Sequence, residues 1–133
     1  AAVQIDAILE LVNACPDGPL AVGAHYPLLN HTAAYRNGFS RQLRNAEALR
    51  RALGATGRSI LYIAGHVHRG SFTRDPLFPN MCHLTTPPLF RRHRPPAPSG
   101  CFSEVHFSSA GFFVFQHLYV NNRWTRVPLP LQE

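Results

Sequence analysis

The chain opens on "VQIDAILELVNA" (3–14), where Val3, Ala7, Ile8, Leu11 and Val12 recur at helical spacing and predict an amphipathic helix. "CPDGP" stops it, because Pro16, Gly18 and Pro19 break a helix and favour a turn. "LAVGAH" (20–25) is short, apolar and closes on His25, the pattern of a buried strand. A loop, "YPLLNHTAAYRNGF", leads to Ser40, which is placed to cap a second helix over 40–53. There Leu43, Ala46, Leu49 and Leu53 share one face, with Arg41, Arg44 and Arg51 off it. Glu47 stands one turn before Arg51, the favourable order for a helical ion pair. Gly54 and Gly57 end this helix, and "SILYIA" (59–64) reads as the next strand, stopping at Gly65.

A long stretch then loses periodicity. "RGSFTRDPLFPN" and "PPLFRRHRPPAPSG" are rich in Pro, Gly and Arg and predict irregular chain, with "MCHLTT" a short strand between them. Alternation resumes in "FSEVHFS" and "GFFVFQHLYV", joined by a turn near Ser109 to Gly111, and "NN" at 121 and 122 predicts a hairpin into "RWTRVPL". Without repeats, the order is helix, strand, helix, strand, then an antiparallel meander from about 102 to 128. That order specifies a mixed α/β fold. The 133 residues, 45% hydrophobic, suit a single globular domain over 1–133.

Composition adds three expectations. No run approaches the roughly 18 apolar residues of a membrane span, and the first residues carry acids rather than the basic start of a secretory signal. Cys15, Cys82 and Cys101 are odd in number and widely spaced, which suits ordinary thiols in a reducing compartment and a cytoplasmic location. The net charge of +6 comes wholly from arginine, and a pI near 10.0 favours an anionic partner, either nucleic acid or a phosphorylated small molecule.

The strand–helix–strand unit carries the chemistry. Two such strands run parallel and end at the same sheet edge, where open α/β folds bind ligands. His25 closes the first; His66 and His68 follow the second, past Gly65. An extended chain there puts His66 and His68 on one side, so three neutral imidazoles converge into a metal-binding face. His-x-His alone is a weak motif; its position is what strengthens it. A mononuclear three-histidine zinc hydrolase with an open water position remains one alternative, and an arginine-rich nucleic-acid-binding module another.

"GAHYPLL" and "GHVH" resemble the calcineurin-like metallophosphoesterases. That family carries D-x-H, G-D-x-x-D and G-N-H-D/E motifs, then a lone histidine after a strand, then G-H-x-H. This chain matches the last two, and the intervening helix and later antiparallel strands are similar to the family's second half. The resemblance implies half of a four-layer αββα sandwich and hydrolysis of a phosphorylated substrate. It implies that His25 and His66 bind one ion of a dinuclear centre and His68 the other. Two divalent ions, Mn, Fe or Zn, would clamp the phosphate and activate water. The first three motifs are missing, since Asp6, Asp17 and Asp75 lie in none of them. The chain therefore reads as a carboxyl-terminal half, inactive alone, whose partner is the amino-terminal half of the same domain. Such a half is expected to expose an apolar sheet face or cover it with another copy.

Other residues have duller readings. Arg69 follows the motif, Arg36 lies in the loop after His25 with His31 and Tyr35, and Arg91 and Arg92 begin a basic run with His93 and Arg94. These arginines are candidates to hold a substrate phosphate, although basic runs are most often solvated loop. His83, His106 and His117 read as structural. Cys82, His83, His93 and Cys101 match no compact zinc spacing. Phe112, Phe113, Phe115, Tyr119 and Trp124 suit cross-strand packing better than a platform for bases.

Overall fold

The computed structural model describes residues 2–29, 43–90 and 98–133. Helix α1 (Ala2–Ala14) buries a stripe different from the expected one. Val12 is buried and Ile5 and Ile8 pack beside it, whereas Val3 and Leu11 are 80% and 70% exposed. The chain leaves α1 at Pro16, and Arg58 closes the helix end. Its guanidinium donates to the carbonyls of Val12 (2.6 Å), Cys15 (3.0 Å), Gly18 (3.2 Å) and Pro16, satisfying acceptors that a helix terminus leaves open.

Strand β1 (Leu20–Ala24) precedes helix α2 (Ala46–Ala55), which starts later than the expected 40–53. The Ala46 amide donates to the Leu43 carbonyl in a turn, so the helix begins there with Asn45 as its cap. Ser40, Arg36 and Arg41 fall outside the described residues. Ala46, Leu49 and Leu53 are buried as expected, and Arg51 pairs with Glu47 at 2.8 Å. Gly54 does not end the helix; it lies inside it. A Cβ there would run into the Phe78 ring, so glycine serves close packing at this point.

Strands β2 (Ile60–Ala64), β3 (Ser71–Arg74) and β4 (Met81–Thr85) complete a four-stranded sheet of order β1-β2-β4-β3. The β1–β2 and β2–β4 pairs are parallel, and β3 runs antiparallel to β4. The stretch read as irregular thus contains β3, four residues at a sheet edge whose alternation is too short to register. Strands β5 (Gly100–Ser108), β6 (Gly111–Val120) and β7 (Arg123–Leu129) form a separate antiparallel sheet in the predicted order. Asn121 and Asn122 take φ of 50° and 60°, the left-handed pair that a tight hairpin requires.

Alternation along β2 divides the core. Ile60, Tyr62 and Ala64 face the helices with Val12, Leu49 and Leu53, while Leu61 joins Phe72, Cys82, Leu84 and Val114 between the two sheets. The chain is therefore a mixed α/β structure layered as helices, mixed sheet and antiparallel sheet. No helix among the described residues is long and apolar enough to cross a membrane.

Candidate functional site

The parallel register Ala24↔Ala64 brings the ends of β1 and β2 side by side, so His25 and the Gly65–His68 turn emerge at one edge. The two rings meet there. Nδ1 of His66 lies 3.2 Å from Nε2 of His25, with ring centroids 5.1 Å apart. Tyr26 places its ring edgewise against both, at 4.7 Å from His25 and 4.6 Å from His66. The backbone of Tyr26 is held in turn, because the Tyr62 hydroxyl donates to its carbonyl at 3.1 Å.

The segment after Gly65 is not extended, contrary to the expectation from alternation. The Val67 amide donates to the Gly65 carbonyl at 2.7 Å, and both His66 and His68 adopt left-handed backbone, with φ of 64° and 57°. Left-handed conformations cost a non-glycine residue on the order of 1–2 kcal/mol. Such strain concentrates at functional sites, where surrounding structure holds it in place. The turn, and not strand alternation, aims His66 at His25. His68 is exposed beyond it, as is Arg69, whose carbonyl accepts from Thr85 Oγ1 at 2.8 Å.

Two imidazole nitrogens about 2.1 Å from one tetrahedral ion stand about 3.4 Å apart. The observed 3.2 Å separation therefore suits two ligands of a single ion. A complete dinuclear centre does not fit this chain alone. All seven acidic residues are described, yet among the described residues no group of three or more His, Cys, Asp or Glu side chains is arranged to hold a metal. Neither His68 nor any carboxylate sits as a third ligand beside the pair. Arg36, Arg91, Arg92, His31, Tyr35, His93 and Arg94 lie outside the described residues.

Two polar clusters escaped sequence reasoning. In the first, buried Asp75 accepts from Nε and Nη2 of Arg50, each at 2.7 Å, and from the amides of Leu77 (2.9 Å) and Phe78 (3.0 Å). Nε2 of His83 donates at 2.7 Å to Oδ2, the oxygen that also accepts from Arg50 Nε, while the buried Nδ1 of His83 has no partner among the described residues. Burial alone would raise the Asp75 carboxyl, but Arg50, the two amides and His83 together hold it well below the usual carboxylate range. Burial pushes His83 down, against the opposing pull of Asp75. In the second cluster, Glu104 on β5 accepts from Nε and Nη2 of Arg126, both at 3.0 Å, from His117 at 2.6 Å and from His106. The Arg126 bonds, then those of the histidines, hold Glu104 well below its ordinary value. No sequence signal marks either cluster, since their members are brought together by strand register and not by spacing.

The cysteines behave as expected of ordinary thiols. Cys82 and Cys101 are buried and free, burial pushing both thiols up, and Cys15 is exposed. The chain matches no known family model, and no curated protein matches it.

Proposed function

We propose that this chain is the carboxyl-terminal half of a calcineurin-like metallophosphoesterase, hydrolysing a phosphoester or phosphodiester once its other half is present. In this reading His25 and His66 bind one divalent ion, Mn, Fe or Zn, His68 binds a second, and Arg69 approaches the substrate phosphate with Arg36, Arg91 and Arg92. The observation that carries it is the meeting of His25 and His66 at the carboxyl edge of two parallel strands, separated as ligands of one ion would be. When bound, the ions would supply charge to clamp the phosphate and an activated water. The chain's own residues provide rings held in place: Tyr26 packs edgewise on both, and the strained turn fixes the direction of His66.

The edge of β1, unpaired among the described residues, supports the missing half. "LAVGA" carries none of the Lys, Pro or inward charges that usually protect an edge strand. Beside it runs an apolar groove of about 310 Å³, lined by Ile8, Leu11, Leu20, Val22 and Tyr62 among others. A strand added there in parallel would end next to His25, where carboxylates are needed to hold two ions. The layering of helices, mixed sheet and antiparallel sheet is compatible with half of an αββα sandwich. We also place the protein in the cytoplasm, on its free thiols.

Hydrolysis of an aryl phosphodiester by the purified chain, with Mn or Zn added, tests the reading. The chain alone should bind metal weakly and show no turnover. Co-expression with the segment encoded upstream should restore hydrolysis, and His66→Ala should abolish it again. Metal-dependent turnover by the chain alone, lost in His66→Ala, would instead show a site complete in these 133 residues. Failure of both metal binding and restoration would remove the phosphoesterase reading.

A further inference from the structure

Segment 65–70 carries both motif histidines, and the left-handed backbone of His66 and His68 needs neighbouring structure to hold it. The bond from the Val67 amide to the Gly65 carbonyl closes the turn without tying it to another element. The ties come from the end of β4. Ahead of the turn, the Thr86 amide donates to the Ala64 carbonyl at 2.8 Å. Behind it, Thr85 Oγ1 donates to the Arg69 carbonyl, also at 2.8 Å. Two consecutive residues at one strand end therefore hold the chain on both sides of the histidines.

The tie at Thr85 is backed by a second hydroxyl. Register sets Ser71 against Thr85, and their side-chain oxygens stand 2.7 Å apart. A carbonyl can only accept, so the single Thr85 proton is committed to Arg69 and Ser71 must donate to Thr85. The relay thus runs one way, from Ser71 to Thr85 to the Arg69 carbonyl. Thr85 is 1% exposed and Ser71 3%, so water offers neither hydroxyl a substitute partner. Removing the middle member would strand a buried donor on one side and free the chain on the other.

We propose that Thr85 is the positioning residue of the histidine turn: backed by Ser71, its hydroxyl fixes the exit of the turn and so keeps His66 aimed at His25. Thr85 acts only through the Arg69 carbonyl and is not itself a ligand. The inference rests on the reading of His25 and His66 as metal ligands, whose direction is set by supporting hydrogen bonds.

Two readouts separate this role from the metal reading. The first needs no metal. In the wild-type chain, proton NMR should show cross-relaxation between the Tyr26 and His66 rings, whose centroids lie 4.6 Å apart. Thr85→Val, close in shape but without the hydroxyl, should lose that contact, and Thr85→Ser should keep it. The second is zinc titration, in which Thr85→Val should bind about tenfold more weakly and Thr85→Ser like the wild type. Thr73→Val is the control, because Thr73 Oγ1 is buried without a partner among the described residues and its removal breaks no bond. Should Thr85→Val fail to fold by circular dichroism, Ser71→Ala removes only the backing donor and should shift both readouts the same way. A Tyr26–His66 contact retained in the variant overturns the proposal. So does zinc affinity unchanged in Thr85→Val where His66→Ala abolishes it, or an equal loss in Thr73→Val. If the wild type binds no zinc through His66, the metal reading falls, and the ring contact alone judges Thr85.

Discussion

Asp75 is the most heavily hydrogen-bonded acceptor side chain among the described residues. It is fully buried and accepts hydrogen bonds from Arg50, His83 and two amides. Breaking a buried pair by removing one partner strands the other charge, so Asp75→Asn should lower stability by about 3–5 kcal/mol in urea unfolding. The same residues set an acid response. The folded values of both Asp75 and His83 are depressed, so the unfolded chain binds more protons and stability falls with falling pH. The His83 contribution is complete above about pH 6.5 and declines below it; that of Asp75 is complete above about pH 4 and declines below that. His83→Gln should remove the decline that sets in below about pH 6.5 and leave the later one. An unchanged profile in that variant would exclude His83 as its source.

At the scale of elements, Gly54 sets two rules against each other. Alanine in a helix interior is favoured over glycine by about 1 kcal/mol. Here the new Cβ would meet the Phe78 ring, which packs across α2 from the β3–β4 connection and also lies under Arg50. Overpacking costs about 1–3 kcal/mol and should win, so Gly54→Ala should lower the unfolding midpoint. The double variant Gly54→Ala with Phe78→Ala tests the cause. If the ring is responsible, the glycine substitution should become stabilising by up to about 1 kcal/mol in the Phe78→Ala background. A penalty that persists without the ring would point to the backbone instead.

For the whole molecule, the consequential feature is the β1 side. Leu11 and Val3 are exposed on α1, Leu11 lines the apolar groove, and the uncharged edge of β1 is unpaired among the described residues. Exposed apolar surface of this kind binds a partner or associates with itself. The isolated chain should bind an apolar dye or run as an oligomer in gel filtration. Val3→Glu with Leu11→Glu should reduce either behaviour without loss of folded structure, since neither side chain is buried. A dye-silent monomer would count against a missing half on this side.

Local pattern made much of the fold readable. Period-two alternation located β5, β6 and β7 because each is long and half-covered, and "NN" specified its turn because paired asparagines tolerate left-handed backbone. Short apolar runs bounded by breakers marked β1 and β2, and parallel crossover logic placed His25 beside His66. Other features were not local. Which stripe of α1 is buried depends on where β1 and α2 lie, and β3 exists only because β4 offers it a partner. The left-handed turn that aims His66 is closed by the Val67 amide bond to the Gly65 carbonyl, which no periodicity records. Asp75, Arg50 and His83 lie far apart or in unrelated patterns along the chain, as do Glu104, His117 and Arg126. Sequence spacing reports a residue's neighbours along one element, whereas buried charge finds its partners across elements, and only the packed structure decides which ones meet.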